Sequence, residues 1–523
     1  MSSANNRHVA PRHDRNAWLV GTLATILSIA AFIVALSKQE VLRYSDAVSH
    51  LLIARRVVDS PTPGLTQLGS AWLPLPHILM IPFIWINPLY QDGLAGSISS
   101  MAAFVVGCVF AYKIAFRFTG KKIAGGISAA TYGLCFSLEY LQATPMTESL
   151  LFGTMLAAVY FVLKWADTRK TKDLLGGAAA AMLATLSRYE AWPVAVLLLI
   201  SVGLIAAQQH VPDIDAQRHR RRTWDRVRVF APMAIGMIFV GWPLWNQIIF
   251  GNALDFQDGA YSHPPLGSHE PAIGNWWITI KTYYYAAQTC VGLPVLVLGA
   301  LGLIVFLWRE FRSKQRAVRA LPILALLGAP ALIIASIYDG QRPLHVVQIT
   351  GEAYNVRYGL AVIPVVALLV GYLTTLFKGT TLRAALSVVA LATVIFTGIT
   401  SMENGINPVV GIEHASTTST EVVTAFNAEY NGGLVLMESW GNEYLAYKAI
   451  PSKQHIDEGS YRIWQEAQRN PAGQHIQWII MRGGSDPDEL WQDLGSWQLA
   501  PYKLVYQTSA GTSVPYRIYE LKA

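Results

Sequence analysis

The chain has 523 residues and a net charge of +7, yet only 14% of its residues are charged and its mean hydropathy is +0.34. Soluble domains carry about 25% charged residues, so the composition excludes an ordinary soluble enzyme and points to a surface that faces lipid. The three cysteines, Cys108, Cys135 and Cys290, lie in or beside apolar segments and offer neither a disulfide framework nor metal-ligand spacing.

In chain order, residues 1–16 read as a short polar tail. The first apolar run, Ala17 to Leu36, is too long for the apolar part of a signal peptide, and no small-residue cleavage site clearly follows it. It predicts an uncleaved first span. Further runs predict spans at 94–116, 123–141, 149–166, 174–187, 191–207, 229–250, 287–308, 320–337, 358–377 and 384–400. The expected fold class is therefore an α-helical polytopic membrane protein with about eleven transmembrane helices over residues 17–400. A long first loop, residues 37–93, interrupts it. From residue 401 to 523 the composition changes. Polar helical stretches, Glu421–Tyr430 and Tyr461–Arg469, alternate with short strand candidates, Leu434–Met437, Trp478–Met481, Lys503–Tyr506 and Tyr516–Leu521. That alternation predicts a C-terminal α/β domain.

Charge sets the expected orientation. With the N-terminus in the cytoplasm, the inner segments hold 23 Lys or Arg and the outer loops 8. The positive-inside rule then places the C-terminal domain outside, in a multi-pass protein of the plasma membrane. The basic segment with Arg218, Arg220, Arg221, Arg222, Arg226 and Arg228 is accounted for by topology and anionic lipid, so no nucleic-acid partner is expected.

The outer loops carry the ionisable residues. Arg43-Tyr44-Ser45-Asp46-Ala47-Val48-Ser49-His50 opens the first loop. In a helix, Asp46 and His50 share one face; the plain alternative for Asp46 is a helix N-cap. Apolar and basic residues there suit a helix lying in the membrane interface. The segment from Trp72 to Trp85, with Leu73-Pro74-Leu75-Pro76-His77, predicts a second interfacial or re-entrant helix. Later outer loops hold Glu148, the run Arg188-Tyr189-Glu190, and Arg357-Tyr358 at the mouth of a span. Ordinary accounts exist for each: a first-turn Glu, an Arg–Glu pair, a snorkelling Arg. Together at one membrane face they define a candidate functional site. His263 and His269 match no zinc signature.

These residues resemble the GT-C superfamily of glycosyltransferases, which includes protein O-mannosyltransferases and the aminoarabinose transferases of lipid A. The resemblance rests on Asp46 just after the first span, the proline-bearing Leu73–His77 segment, Thr144-Pro145-Met146-Thr147-Glu148, and Arg357-Tyr358 ahead of Pro364. It covers roughly residues 15 to 400. The chain has Asp46-Ala47 where protein O-mannosyltransferases have Asp-Glu, and it lacks the Trp-Trp-Asp-Tyr-Gly motif of oligosaccharyltransferases. The resemblance implies that Asp46 is the catalytic base and that Arg357 contacts the phosphate of a polyprenyl-linked donor. His50, Glu148, Arg188, Tyr189, Glu190 and Tyr358 complete the candidate substrate-binding set.

The chemistry is coherent. A carboxylate takes the proton of an acceptor hydroxyl as it attacks the anomeric carbon, inverting it. An arginine fork compensates the leaving phosphate. The cofactor is open: a divalent ion shared by Asp46 and Glu148 is conceivable, and nothing in the sequence requires one. Expected partners are membrane lipid, a polyprenyl-phosphate sugar, and a glycan, lipid or protein acceptor. The rival reading is a secondary transporter or flippase, which would place its ionisable residues mid-span and show an inverted repeat. No repeat is seen, and the charges sit at outer ends, with Lys113, near an inner end, as the main exception.

Overall fold

A chain surrounded by lipid must satisfy its backbone hydrogen bonds within itself, so each apolar run closes into a helix. The computed structural model describes residues 15–208, 216–259, 262, 270–403, 417–485, 487–509 and 511–522. The expected polar tail up to residue 14, residues 209–215 of the basic segment, and His263 and His269 lie outside the described residues. Two units are distinguished by their internal packing: Met1–Lys38 with Ser97–Ile412, and Gln39–Gly96 with Glu413–Ala523. The first loop thus groups with the C-terminal residues.

The first unit is helical. Among the described residues, 8 helices are long and apolar enough to cross a membrane: Arg15–Ser37, Leu94–Thr119, Glu148–Thr168, Thr223–Phe250, Leu293–Glu310, Lys314–Tyr338, Val356–Leu373 and Thr380–Thr400. Ala191–Ala207 is a shorter apolar helix, and Thr171–Thr185 precedes it. Every predicted span has a helical counterpart, but two are cut differently. The 123–141 run breaks into Lys122–Gly133 and Phe136–Gln142. The 287–308 run divides at Gly292, which ends the Trp276–Val291 helix with φ +86°. Any side chain there would also strike Thr397. Pro294, at the start of the next helix, needs no amide donor and has its φ already set.

The helix Ile363–Leu373 is buried along its whole length. Glycines allow its backbone neighbours this close. A Cβ at Gly302 would sit 2.3 Å from the Leu369 carbonyl oxygen, and one at Gly371 would sit 2.4 Å from that of Ala124. Small residues at helix crossings are the usual means of association in lipid, where apolar burial drives little.

The helix ends of this unit segregate into two sets. At one end, Arg117 pairs with Asp167 at 2.8 Å and Arg319 pairs with it at 3.2 Å. Gln208 donates to the Lys314 carbonyl (3.0 Å), Arg226 to Thr171 (3.0 Å) and Arg309 to the Thr375 carbonyl (3.0 Å). These residues come from or adjoin the segments counted as inner. The loops at the opposite helix ends supply the other set, described below.

The second unit is α/β. Among the described residues its five strands are β1 (Leu434–Leu436), β2 (His455–Ile456), β3 (Ile476–Arg482), β4 (Tyr502–Gln507) and β5 (Tyr516–Leu521), in the order β2-β1-β3-β5-β4. β1 runs parallel to β2 and β3; β5 is antiparallel to β3 and β4. The helix Ser45–Val58 belongs to this unit's core. Val48 and Leu52 pack with Val422, Phe426, Val435, Met437 and Trp478. Its other side packs Leu51 and Ala54 on Met80, Ile84 and Ala95. Its apolar residues therefore serve protein packing, where the sequence pattern suggested lipid.

The same helix supplies Arg56, whose Nη1 meets Asp457 Oδ2 at 2.5 Å; Ser439 Oγ donates to that carboxylate at 2.8 Å. Burial pushes the Asp457 carboxyl up, but Arg56 and His455 outweigh it and hold it below the usual range. Its contribution to stability is thus present at neutral pH and lost as pH falls through that depressed value. Removing one partner of a buried pair strands the other. We expect Arg56→Ala to destabilise this unit by about 3–5 kcal/mol, read by denaturant unfolding of the full-length protein. A variant unchanged in stability would show the pair to be solvated.

Candidate active site

Loops at one set of helix ends in the first unit build a cluster of five charged side chains. Thr144-Pro145 turns the chain into the Glu148–Thr168 helix, so Glu148 opens that helix, where the helix dipole favours an acid. Ser187-Arg188-Tyr189-Glu190 forms the tight turn before Ala191–Ala207, with the Ala191 amide on the Arg188 carbonyl (3.2 Å). Arg357 and Tyr358 lie in the 3-10 turn Val356–Val362, preceded by Asn355 in the left-handed region at φ +53°. Asn adopts that conformation more readily than most residues, and its Nδ2 donates to the Pro343 carbonyl (3.2 Å). Gly359 seats this turn directly on the Ala286–Ala287 backbone, 2.3 Å from where a Cβ would stand. Cys290 Sγ donates to the Val356 carbonyl at 3.1 Å.

These elements bring the charges together. Arg188 bonds Glu190 Oε1 through Nη2 (2.9 Å), and its Nη1 reaches Thr147 Oγ1 (2.9 Å) and Glu148 Oε1 (3.3 Å). Arg342 Nη1 lies 2.5 Å from Glu190 Oε1. Arg357 Nε is 3.1 Å from Glu148 Oε1, a charge contact without hydrogen-bond alignment. All three guanidinium groups stand over the Tyr358 ring, at 5.8 Å for Arg188, 5.4 Å for Arg342 and 5.2 Å for Arg357. Glu148, Glu190 and Arg357 are each at most 3% exposed. Burial pushes the Glu190 carboxyl up, but Arg188 and Arg342 outweigh it and hold it far below the usual carboxylate range. Three arginines against two carboxylates leave these five groups one positive charge in excess, in a place poor in water.

Of the sequence-predicted residues, Glu148, Arg188, Glu190, Arg357 and Tyr358 therefore meet. Tyr189 turns its ring into an aromatic group with Trp192 (5.0 Å) and Phe256 (5.8 Å). Arg342 was missed. Its signal was weak, a lone basic residue mid-loop with no span beside it.

Asp46 and His50 lie in the second unit. Asp46 is the second residue of Ser45–Val58 and partly buried. The N-cap is Tyr44, with no side-chain capping bond, so the capping role expected as the plain alternative is not the one Asp46 fills. His50 is buried, with Nδ1 2.9 Å from His77 Nε2 and its ring 4.3 Å from Trp72. One imidazole of that pair must donate and the other accept. His77 was legible only as part of the proline-bearing segment. Among the described residues, no three His, Cys, Asp or Glu gather as metal ligands. Glu148 faces arginines.

The fold is that of the GT-C glycosyltransferases, as the sequence resemblance implied. The structure of ArnT from Cupriavidus metallidurans bound to undecaprenyl phosphate is similar, with a TM-score of 0.59 and 12% identity, covering 97% of this chain and 98% of that one. The oligosaccharyltransferase of Archaeoglobus fulgidus in its apo form has a TM-score of 0.55 and 10% identity, covering 94% of this chain and 80% of that one. The archaeal oligosaccharyltransferase AglB, from the same organism, in complex with an inhibitory peptide and a dolichol-phosphate, has a TM-score of 0.54 and 9% identity, covering 94% and 79%. More particularly, residues 89–213 match the family of dolichyl-phosphate-mannose-protein mannosyltransferases. No curated protein sequence matches the chain significantly.

Proposed function

We propose that the protein is a membrane glycosyltransferase that moves a sugar from a polyprenyl-phosphate-linked donor to an acceptor hydroxyl at the outer face of the plasma membrane. The observation that carries this reading is the net-positive cluster of the buried Arg357 with the partly buried Arg188 and Arg342 around Tyr358. It lies where helices end, the depth at which a lipid phosphate sits. The structural neighbours solved with undecaprenyl phosphate and with dolichol-phosphate lend the carrier its chemical class.

In this reading the cluster holds the phosphate of the carrier and stabilises the charge that grows on it as the glycosidic bond breaks. Glu148 and Glu190 fix the arginine forks. Asp46 takes the proton of the acceptor hydroxyl, and a single displacement inverts the anomeric centre. A transporter or flippase would gather charge mid-span; here it gathers at the helix ends. The N-terminus lies in the cytoplasm and the C-terminal residues outside, as the Lys and Arg bias suggests.

Sealed vesicles of known orientation test both points. Given a polyprenyl-phosphate sugar, the protein should release polyprenyl phosphate and glycosylate acceptor only on the side opposite its N-terminus. Movement of the intact lipid-linked sugar across the bilayer, without transfer, would establish the flippase reading instead.

A further inference from the structure

The loop that carries Arg342 and Arg357 is closed on itself and tied down by one histidine. His345 and Tyr354 form an isolated antiparallel bridge: the His345 amide donates to the Tyr354 carbonyl at 3.0 Å and the Tyr354 amide returns the bond at 3.1 Å. The His345 side chain then reaches two carboxylates. Nε2 is 2.7 Å from Glu270 Oε1, and Nδ1 is 2.7 Å from Glu352 Oε1. Glu270 belongs to the segment ahead of the Trp276–Val291 helix, whose backbone seats Gly359. Glu352 belongs to the loop itself. The imidazole and Glu270 are each 16% exposed, whereas Glu352 is 68% exposed.

A neutral imidazole has one N–H and one lone pair. Two carboxylates at this distance each require a donor, so the arrangement is complete only as an imidazolium. On losing a proton, the ring keeps its bond to one carboxylate and turns a lone pair on the other. Glu352, the more exposed, is then free to swing into water. Among the described residues, the groups facing the ring are Glu270, Glu352 and the Tyr354 ring, 5.8 Å away.

We propose that His345 is a positioning residue for donor use. As imidazolium it straps the 339–357 loop across Glu352 and Glu270, and so holds Arg342 and Arg357 over Tyr358. The inference rests on reading that arginine cluster as the phosphate site. The sign follows from the donor count. The strap is whole while the imidazole carries both protons and loosens when one leaves as pH rises. Donor KM should then rise roughly tenfold, the scale of one charge-assisted hydrogen bond, with kcat less affected.

The test uses the full-length protein, wild type and His345→Arg, between about pH 5 and 8. Arginine supplies two donors at every pH, so it serves as the reference without titration. Hydrogen exchange at the His345 and Tyr354 amides reads the strap without any assay of activity. Relative to His345→Arg, wild-type exchange should quicken as pH rises, and donor KM should rise with it. His345→Gln should hold the high-pH behaviour throughout. Exchange that runs parallel in wild type and His345→Arg overturns the strap. Exchange that responds while undecaprenyl phosphate binding and donor KM do not overturns its link to the site. If no transfer is detected at all, the exchange arm still judges the strap and the failure falls on the glycosyltransferase reading.

Discussion

Asp46→Asn is expected to lower sugar transfer about a hundredfold or more while leaving the protein folded. The substitution keeps the size and planarity of the side chain and removes only its capacity to hold a proton. Asp46 is partly buried at the second position of Ser45–Val58, and that helix makes its core contacts through Val48, Leu51, Leu52 and Ala54. That apolar packing runs through those four residues, and the N-cap of the helix is Tyr44. In the proposed reaction, an amide in its place leaves the attacking hydroxyl without a base. The decisive measurement is the transfer rate at saturating donor, alongside denaturant stability. Full activity in the variant would leave Asp46 with a structural role only. Lost activity with lost stability would be uninformative about the base, and Asp46→Glu, which restores a carboxylate, then separates the two.

The elements were far more legible than their assembly. Apolar length alone located the helices, because lipid allows little else. It could not locate the break between Gly133 and Phe136, or the one at Gly292, because those depend on what the neighbouring helix brings close. The four longer strands announced themselves by composition. β2, two residues long, is too short for any periodicity to register. The helix Ser45–Val58 is the instructive case. An apolar stripe with basic neighbours looks the same whether it covers lipid or a sheet domain. Only the contact between Val48 and residues such as Phe426, far along the chain, decides which. The charged cluster was partly legible for a related reason. Glu148, Arg188, Glu190 and Arg357 stand at span mouths, where a charge is costly enough to draw notice. Arg342 sits mid-loop, and its partner Glu190 is fixed by tertiary structure.

Arg357→Ala is expected to reduce donor use by about 10²–10³, the scale seen when one preorganised donor to a developing charge is removed. The guanidinium is 3% exposed and stands 5.2 Å from the Tyr358 ring. A charge held there acts through little water, so its loss is weakly compensated by solvent. Arg357→Lys should recover only part of the activity, because an ammonium offers a point charge where the guanidinium offers a planar fork. The simple variant also has a structural consequence. Glu148 loses one of its two cationic neighbours and keeps Arg188 at 3.3 Å. A double variant, Arg357→Ala with Glu148→Gln, resolves the ambiguity. It restores charge balance without restoring a phosphate ligand. If Arg357 serves the carrier phosphate, the double variant stays as impaired as Arg357→Ala in undecaprenyl phosphate binding and in transfer. If Arg357 matters only as a counter-charge to Glu148, the double variant recovers both, and the cluster is a brace for the loops that carry it.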